Sequence, residues 1–162
     1  MGIRCTLIAR PARGSTRRLR LDKAWDALEV LLTGGRGVPG GIGDAVTGRG
    51  GRACEPHGAF GPSRCLSRAR IEAIAEALVS LDEATIRARL PLLATLEVHG
   101  AYGRRPPDID PAVEQLLREE GFGGDEDMLE DEHHHLAELV AELTDFYREA
   151  RDEGDEVIVS IG

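Results

Sequence analysis

Hydrophobic and polar residues alternate near both ends of the chain. The segment "IRCTLIA", residues 3–9, places Ile3, Cys5 and Leu7 on one face. The segment "EVIVSIG", residues 156–162, repeats this pattern with apolar residues on both faces. A period of two residues is typical of β-strands, and apolar residues on both faces indicate a buried one. We therefore expect the terminal strands to share a sheet, and a weaker third strand is predicted over Ile42–Thr47.

Between these strands, apolar residues recur with helical spacing. The pattern predicts helices over residues 21–34, 67–81, 81–90, 110–121 and about 128–153. Asp22 and Ser67 are expected to cap the first two helices, and Gly34 and Gly154 are expected to end the first and the last. The apolar stripe of the longest helix is expected to pack on the sheet beside the last strand. The residues of that stripe are Leu129, Leu136, Leu139, Val140, Leu143, Phe146, Tyr147 and Ala150.

These elements predict a mixed α/β (α+β) fold. We expect one compact domain, residues 1–162, with helices flanking a small sheet that includes the N- and C-terminal strands. The 162 residues suffice for a hydrophobic core, and 41% hydrophobic and 30% charged residues are typical of a soluble protein. The sequence shows neither an apolar run of membrane-spanning length nor a secretory signal, so we expect a cytoplasmic protein without membrane contacts.

The stretch "GRGVPG", Gly35–Gly40, matches the glycine spacing of dinucleotide-binding loops. In those proteins a strand leads into the glycines and a helix starts at the third one. Here a helix precedes the glycines, and further glycines follow them. We therefore expect no nucleotide site and no cofactor.

Charge divides unevenly along the chain. Residues 1–81 contain 13 basic and 7 acidic residues, whereas residues 82–162 contain 7 basic and 22 acidic residues, giving a total of −9. The basic half has scattered arginines without aromatic partners, so nucleic-acid binding is not expected. The acidic half favours a basic protein partner.

Neither the cysteines nor the histidines indicate a reactive centre. Cys5, Cys54 and Cys65 form no Cys-x-x-Cys pair, and Cys54 and Cys65 are expected near loops and open to solvent. Glu132 and His135 have the spacing of half a di-iron site, but the second half is missing from the sequence. We expect no metal and no catalytic residues. His134 and His135 are expected in solvent, with His133 half-buried.

Three stretches resemble the YfbM-like family of small bacterial proteins, a domain of unknown function. They are "LDKAWDALEVLLTG", "GPSRCLSRARIEAIAEAL" and "LTDFYREARDEGDEVIVSI", and the opening "MGIRCTL" is also similar. The resemblance implies a compact, cytoplasmic α/β domain with no assigned activity. Any pocket shared with the family would lie near Tyr102, where "AYGRRPPD" departs from the Tyr-Pro pair expected in relatives.

Two functions follow from these patterns. The first is a non-enzymatic module that binds another protein, of the antitoxin or immunity type. The second is an enzyme or small-molecule binder that uses a pocket framed by Lys23, Trp25 and Arg64. Trp25 lies at a core-facing position where its indole N–H needs an acceptor, and Lys23 is the only lysine of the chain. The oligomeric state does not follow from the sequence.

Overall fold

The computed structural model describes residues 4–22, 24–35, 37–58, 61–94 and 125–162, together with positions 112, 115 and 119. In the described residues, two pairs of consecutive strands and a last single strand are separated by helices. The strands are β1 (Cys5–Arg10), β2 (Arg17–Asp22), β3 (Arg52–Gly58), β4 (Gly61–Leu66) and β5 (Glu156–Ile161). The helices are α1 (Trp25–Thr33), α2 (Asp44–Thr47), α3 (Arg68–Ser80), α4 (Glu83–Arg89) and α5 (Asp125–Glu153), with a 3₁₀ turn at Leu90–Ala94.

The five strands form one antiparallel sheet in the order β2-β1-β5-β4-β3. The C-terminal strand β5 is central. It pairs with β1 over six consecutive positions, from Cys5 opposite Ile161 to Arg10 opposite Glu156. The predictions that the terminal strands share a sheet and that the fold is mixed α/β are therefore confirmed.

The register divides the sheet into two faces. Leu7 lies opposite Leu19 on β2 and Val159 on β5, so these residues share the inner face. Side chains of all the longer helices join them in one hydrophobic core. The alternate residues, among them Thr6 and Ile8, point to the outer face.

The predicted start of the first helix was wrong. Residues 17–22 form the edge strand β2, and α1 begins only at Trp25. Asp22 is not the N-cap: it ends β2 with a φ of 44°, and Ala24 occupies the capping position without a side-chain hydrogen bond. The sequence "RRLRLD" alternates, and pairing with β1 brings Leu21 into the core with 1% of its surface exposed.

The predicted third strand, Ile42–Thr47, was also wrong. Asp44–Thr47 form the single-turn helix α2, which Gly48 ends with a φ of 62°. The loop passes close to the sheet here: a Cβ on Gly48 would lie 2.8 Å from Arg64 Cβ and 2.9 Å from Val159 Cβ. The strands β3 and β4, which the sequence analysis missed, follow directly over residues 52–66.

Capping was predicted correctly for α3. Ser67 Oγ accepts a hydrogen bond from the Arg70 amide at 3.3 Å, and the apolar positions of α3 are buried as the pattern required. The predicted short helix is α4, where Asp82 accepts from the Thr85 amide at 2.7 Å. Hydrogen bonds from Thr85 hold the pKa of Asp82 below its ordinary value. The helix predicted over 110–121 lies outside the described residues except at positions 112, 115 and 119, which are helical.

The long helix α5 begins at Asp125, three residues earlier than predicted, and Gly154 follows it with a φ of 71°. Its predicted stripe is buried from Leu136 to Ala150, and the Leu129 side chain lies outside the described residues. The stripe packs mainly on α3, and it also contacts α1 and, within the sheet, the edge strand β2. His133 is half-buried and His134 and His135 are exposed, as predicted.

Arg17 joins β2 to the end of α5. Its guanidinium pairs with Glu149 and donates to Asp155 Oδ2 at 2.6 Å, and it lies 6.0 Å from the centre of the Phe146 ring. Burial alone would lower the pKa of Arg17, but the hydrogen bond to Asp155 and the neighbouring carboxylates raise it. This guanidinium therefore remains charged and fixes the edge strand to the helix.

Candidate functional site

Two carboxylates are buried beside the glycine-rich loop. Glu29, on α1, has 3% of its surface exposed, and Asp44, the first residue of α2, has 1%. A carboxylate in such surroundings needs hydrogen-bond donors and an opposite charge, because losing its hydration costs several kcal/mol. The donors reveal how the loop is organised.

Glu29 is held by the loop on one side and an arginine on the other. Its Oε1 accepts from the Gly37 amide at 3.1 Å and from Arg49 Nη1 at 2.5 Å. Arg49 also donates to the Gly37 carbonyl at 2.9 Å. The guanidinium thus closes the loop between Gly37 and Arg49 over the carboxylate.

Asp44 has a parallel arrangement. Its Oδ2 accepts from the Gly40 amide at 2.8 Å and lies 3.3 Å from Arg70 Nη2 on α3. Arg70 also donates to the Gly41 carbonyl at 3.0 Å. Asp44 Oδ1 and Arg70 Nε are buried, and neither has a hydrogen-bond partner among the residues that the structure describes.

These contacts explain the resemblance of Gly35–Gly40 to a nucleotide loop. A phosphate-binding loop directs its amides at the ligand. Here two glycine amides of the same segment donate to carboxylates of the chain itself, and α1 enters the loop as the sequence predicted. The acceptors are the side chains of Glu29 and Asp44, so the glycine spacing serves an internal structure.

The short helix α2 is tied to the core by two further groups. Tyr147 Oη donates to the Ala45 carbonyl at 2.8 Å, and Cys5 Sγ lies 3.3 Å from the Val46 carbonyl. Burial raises the pKa of Tyr147 well above its ordinary value, the Asp44 carboxylate adds to this effect, and Arg70 opposes it. Burial also raises the pKa of Cys5, to about 12. Both groups are therefore neutral and act as structural contacts.

A cleft of about 540 Å³ opens where β4 runs into α3. Its walls include Gly50 from the loop, Arg52 from β3, Ser67 and Arg68 at the start of α3, and Glu156 from β5. Cys65, also in its wall, donates its thiol hydrogen to Glu156 Oε1 at 2.8 Å. Burial, followed by the contacts with Glu156 and Cys54, raises the pKa of Cys65 to about 12.

The cysteine positions differ from those expected. Cys54 lies on β3 and is half-buried, while Cys65 lies on β4 with 6% of its surface exposed. Neither lies in an open loop, because the strands β3 and β4 occupy that part of the chain. All three cysteines are free thiols.

The structure places two of the four predicted ligand-binding residues. Lys23 and Tyr102 lie outside the described residues. Trp25 has 9% of its surface exposed at the start of α1, and its Nε1 is buried with no hydrogen-bond partner in the described part of the chain. Arg64 lies half-buried on β4, which two strands separate from β2 in the sheet. A common site for these residues stays a prediction.

Sequence reasoning missed the four residues of the paired cluster, Glu29, Asp44, Arg49 and Arg70. One signal was present. Glu29 stands in "ALEVLL", an almost wholly apolar segment, and an acidic residue in such a helix must be paired if it is buried. The identity of its partners could not be read from the sequence, since Arg49 lies 20 residues away.

The described part of the chain contains no group of three or more His, Cys, Asp or Glu side chains arranged to hold a metal ion. None of its helices combines the length and the apolar character needed to cross a membrane.

Comparison with known proteins identifies the family of this chain. The sequence model of a family described as a domain of unknown function, DUF1877, matches residues 8–102. The chain belongs to this family. Its fold is similar to that of YfbM from Escherichia coli, a protein of unknown function, with a TM-score of 0.60 over 96% of this chain and 98% of that one. The two sequences are 18% identical, so this likeness establishes the fold. No curated protein matches the chain significantly.

Replacing Gly50 tests the packing of the loop on Asp44. A Cβ at this position would lie 2.2 Å from Asp44 Oδ2 and 3.0 Å from the Gly40 amide nitrogen. Gly50→Ala should therefore lower the free energy of unfolding by about 1–3 kcal/mol. Gly35→Ala is the control, because nothing lies within 4 Å of a Cβ there. It should change stability by less than about 0.5 kcal/mol in urea unfolding. Equal effects would mean that Gly50 does not pack against Asp44.

Thiol reactivity tests the burial of the cysteines. A pKa near 12 instead of the ordinary 9.0 lowers the thiolate fraction of Cys5 roughly a thousandfold at neutral pH. Iodoacetamide should label Cys54 in the native protein well before Cys5 or Cys65, as followed by mass spectrometry. All three should react in concentrated guanidinium chloride. Because the folded pKa values are raised, these thiols favour the folded state below about pH 9, and this contribution declines as the pH rises toward 12. Rapid native labelling of Cys5 would contradict the prediction.

Proposed function

We propose that this domain is a cytoplasmic module that binds a basic protein through the solvent side of α5. One observation carries the proposal. The sequence of α5 contains 12 acidic and 2 basic residues, a net charge of −10, whereas the whole chain has a net charge of −9. The remainder of the chain therefore has a net charge of +1, and the excess negative charge is concentrated on one helix.

Among the described residues, the exposed acids of α5 outnumber the arginines beside them, and Arg17 of β2 faces both Glu149 and Glu153. Arg148 pairs with Asp145, and Arg151 pairs with Asp152. Glu138 lies near His134, a partner that is charged only when protonated, and Glu142 extends into solvent. A helix surface of one sign accelerates encounter with a surface of the opposite sign and opposes the approach of acidic partners.

The buried side of α5 makes this surface rigid. Leu136, Leu143, Tyr147 and Ala150 are completely buried, so the helix cannot turn relative to the core. A rigid helix presents its charges in a fixed array, which lowers the conformational entropy lost on binding. This supports capture of a folded partner, as an antitoxin or immunity protein requires. A toxin gene next to the gene that encodes this protein would support that role.

Neutralising three exposed acids of α5 tests the proposal. The triple variant Glu138→Gln, Glu142→Gln and Asp145→Asn should lose the partner that the wild type retains from a native lysate at low salt. The control is Glu72→Gln, Glu76→Gln and Glu83→Gln, which changes the net charge equally on the exposed sides of α3 and α4. The association rate constant with the retained partner should be at least about tenfold lower for the α5 variant than for the wild type at low salt. Raising the salt to the physiological level should lower the rate constant of the wild type to a similar extent. The proposal would be refuted if neither salt nor the α5 substitutions change the association rate of the retained partner.

A second function rests on Trp25. Its indole N–H is buried with no acceptor among the described residues, an arrangement that is rare in proteins and that a small-molecule acceptor would complete. This observation favours the alternative of an enzyme or small-molecule binder that uses Trp25 with Lys23, Arg64 and Tyr102. Gene context also separates the two functions, since a metabolic operon would favour the second.

Trp25 is the only tryptophan of the chain, so its fluorescence reports this site directly. Under the second function, a library of small polar metabolites should contain a compound that shifts the emission maximum and raises the melting temperature. Trp25→Phe retains an aromatic ring without the N–H and should weaken binding of that compound about tenfold, the effect of one lost hydrogen bond of about 1.4 kcal/mol. Because this variant has no tryptophan, its affinity is measured from the rise in melting temperature with compound concentration. If no compound shifts both signals, the second function fails and the protein-binding proposal is unaffected.

A further inference from the structure

The strand β2 forms one edge of the sheet. It pairs with β1 on one side, and no other described strand pairs with its far side. The backbone amides and carbonyls along such an edge can pair with an added strand. This edge lies at the opposite end of the strand order from β3.

Basic and apolar residues alternate along β2. Leu19 lies opposite Leu7 on the inner face, whereas Arg18 and Arg20 lie opposite Ile8 and Thr6 on the outer face. Both arginines are exposed. Among the described residues neither has an ion-pair partner, in contrast to Arg17, which is held by the carboxylates near the end of α5.

The neighbouring strand extends this basic surface. Arg4, which directly precedes β1, and Arg10, at the end of β1, are exposed and, by alternation with Thr6 and Ile8, lie on the same outer face. Arg10 lies 3.8 Å from Glu156, so one of the four arginines has a partial counter-charge. The outer face of the β1–β2 hairpin is therefore positive in a protein whose net charge is −9.

We propose that β2 is a docking edge for an extended acidic segment of a partner protein. The segment adds a sixth strand, with acidic residues opposite Arg18 and Arg20 and apolar residues beside Leu19. Opposite charges on directly facing residues stabilise a strand pair, and like charges destabilise it. A second copy of β2 would place arginines against arginines, so the same charges oppose self-association through this edge.

The alternation favours a peptide over a nucleic acid. A peptide strand satisfies the backbone edge and also places apolar side chains beside the half-buried Leu19. Single-stranded nucleic acids need aromatic side chains for base stacking, and neither β1 nor β2 contains one. This edge is separate from the acidic side of α5, so either proposal can fail without the other.

A designed peptide tests the docking edge. The probe is a fluorescein-labelled peptide of alternating Glu and Val, and its binding is measured by fluorescence anisotropy. A matched peptide has Pro at two central Val positions, which keeps the charge and removes two amide donors. The first peptide should bind at least about tenfold more tightly than the second, the equivalent of about 1.4 kcal/mol. Amide chemical shifts should change most at Arg18, Leu19 and Arg20.

Paired variants distinguish position from total charge. Arg18→Glu with Arg20→Glu should weaken the acidic peptide at least about tenfold and strengthen a Lys-Val peptide. Arg68→Glu with Arg87→Glu gives the same net charge on α3 and α4, where these side chains are 78% and 73% exposed, and should retain the acidic peptide. Circular dichroism melting confirms that both variants fold. The proposal is overturned if the acidic peptide does not bind, if the proline peptide binds equally well, if both double variants weaken binding alike, or if oligo-dT binds more tightly.

Discussion

The burial of two carboxylates constrains the glycine-rich segment between α1 and β3. Glu29 and Asp44 are almost without solvent contact, and a carboxylate in that environment is tolerated only with donors and a counter-charge. Each receives one glycine amide and one guanidinium. The loop must therefore bring Gly37 and Gly40 to fixed points while Arg49 and Arg70 approach from later in the chain.

This requirement links distant elements. Arg70 lies in the first turn of α3, so the pair with Asp44 fixes that helix relative to α2. The Tyr147 hydroxyl and the Cys5 thiol hold α2 from the long helix and the first strand. Glycine at position 50 is needed because Asp44 occupies the space of a side chain there. Glycine at positions 37 and 50 thus reflects close packing around the two carboxylates.

Charge is also separated over the molecule. Acidic residues concentrate on α5, whereas the exposed residues of the β1–β2 hairpin include four arginines. Arg17 is the contact between the two regions, since it leaves the inner face of β2 to reach Glu149 and Asp155. The domain consequently has two surfaces of opposite sign, with a hydrophobic core between them.

The sequence by itself determined the elements whose signals are local. Alternation identified the two terminal strands, and helical spacing with capping residues identified α3, α4 and α5, because backbone geometry repeats these periods in any tertiary context. The family resemblance and the mixed fold followed from the order of these elements. Tertiary structure alone decided the rest. Pairing with β1 made residues 17–22 an edge strand, and contacts with Tyr147 and Arg70 shaped residues 42–47 into a helical turn. The partners of Glu29 and Asp44 are 20 and 26 residues away, and no local pattern specifies such pairs because only the folded chain brings these charges together.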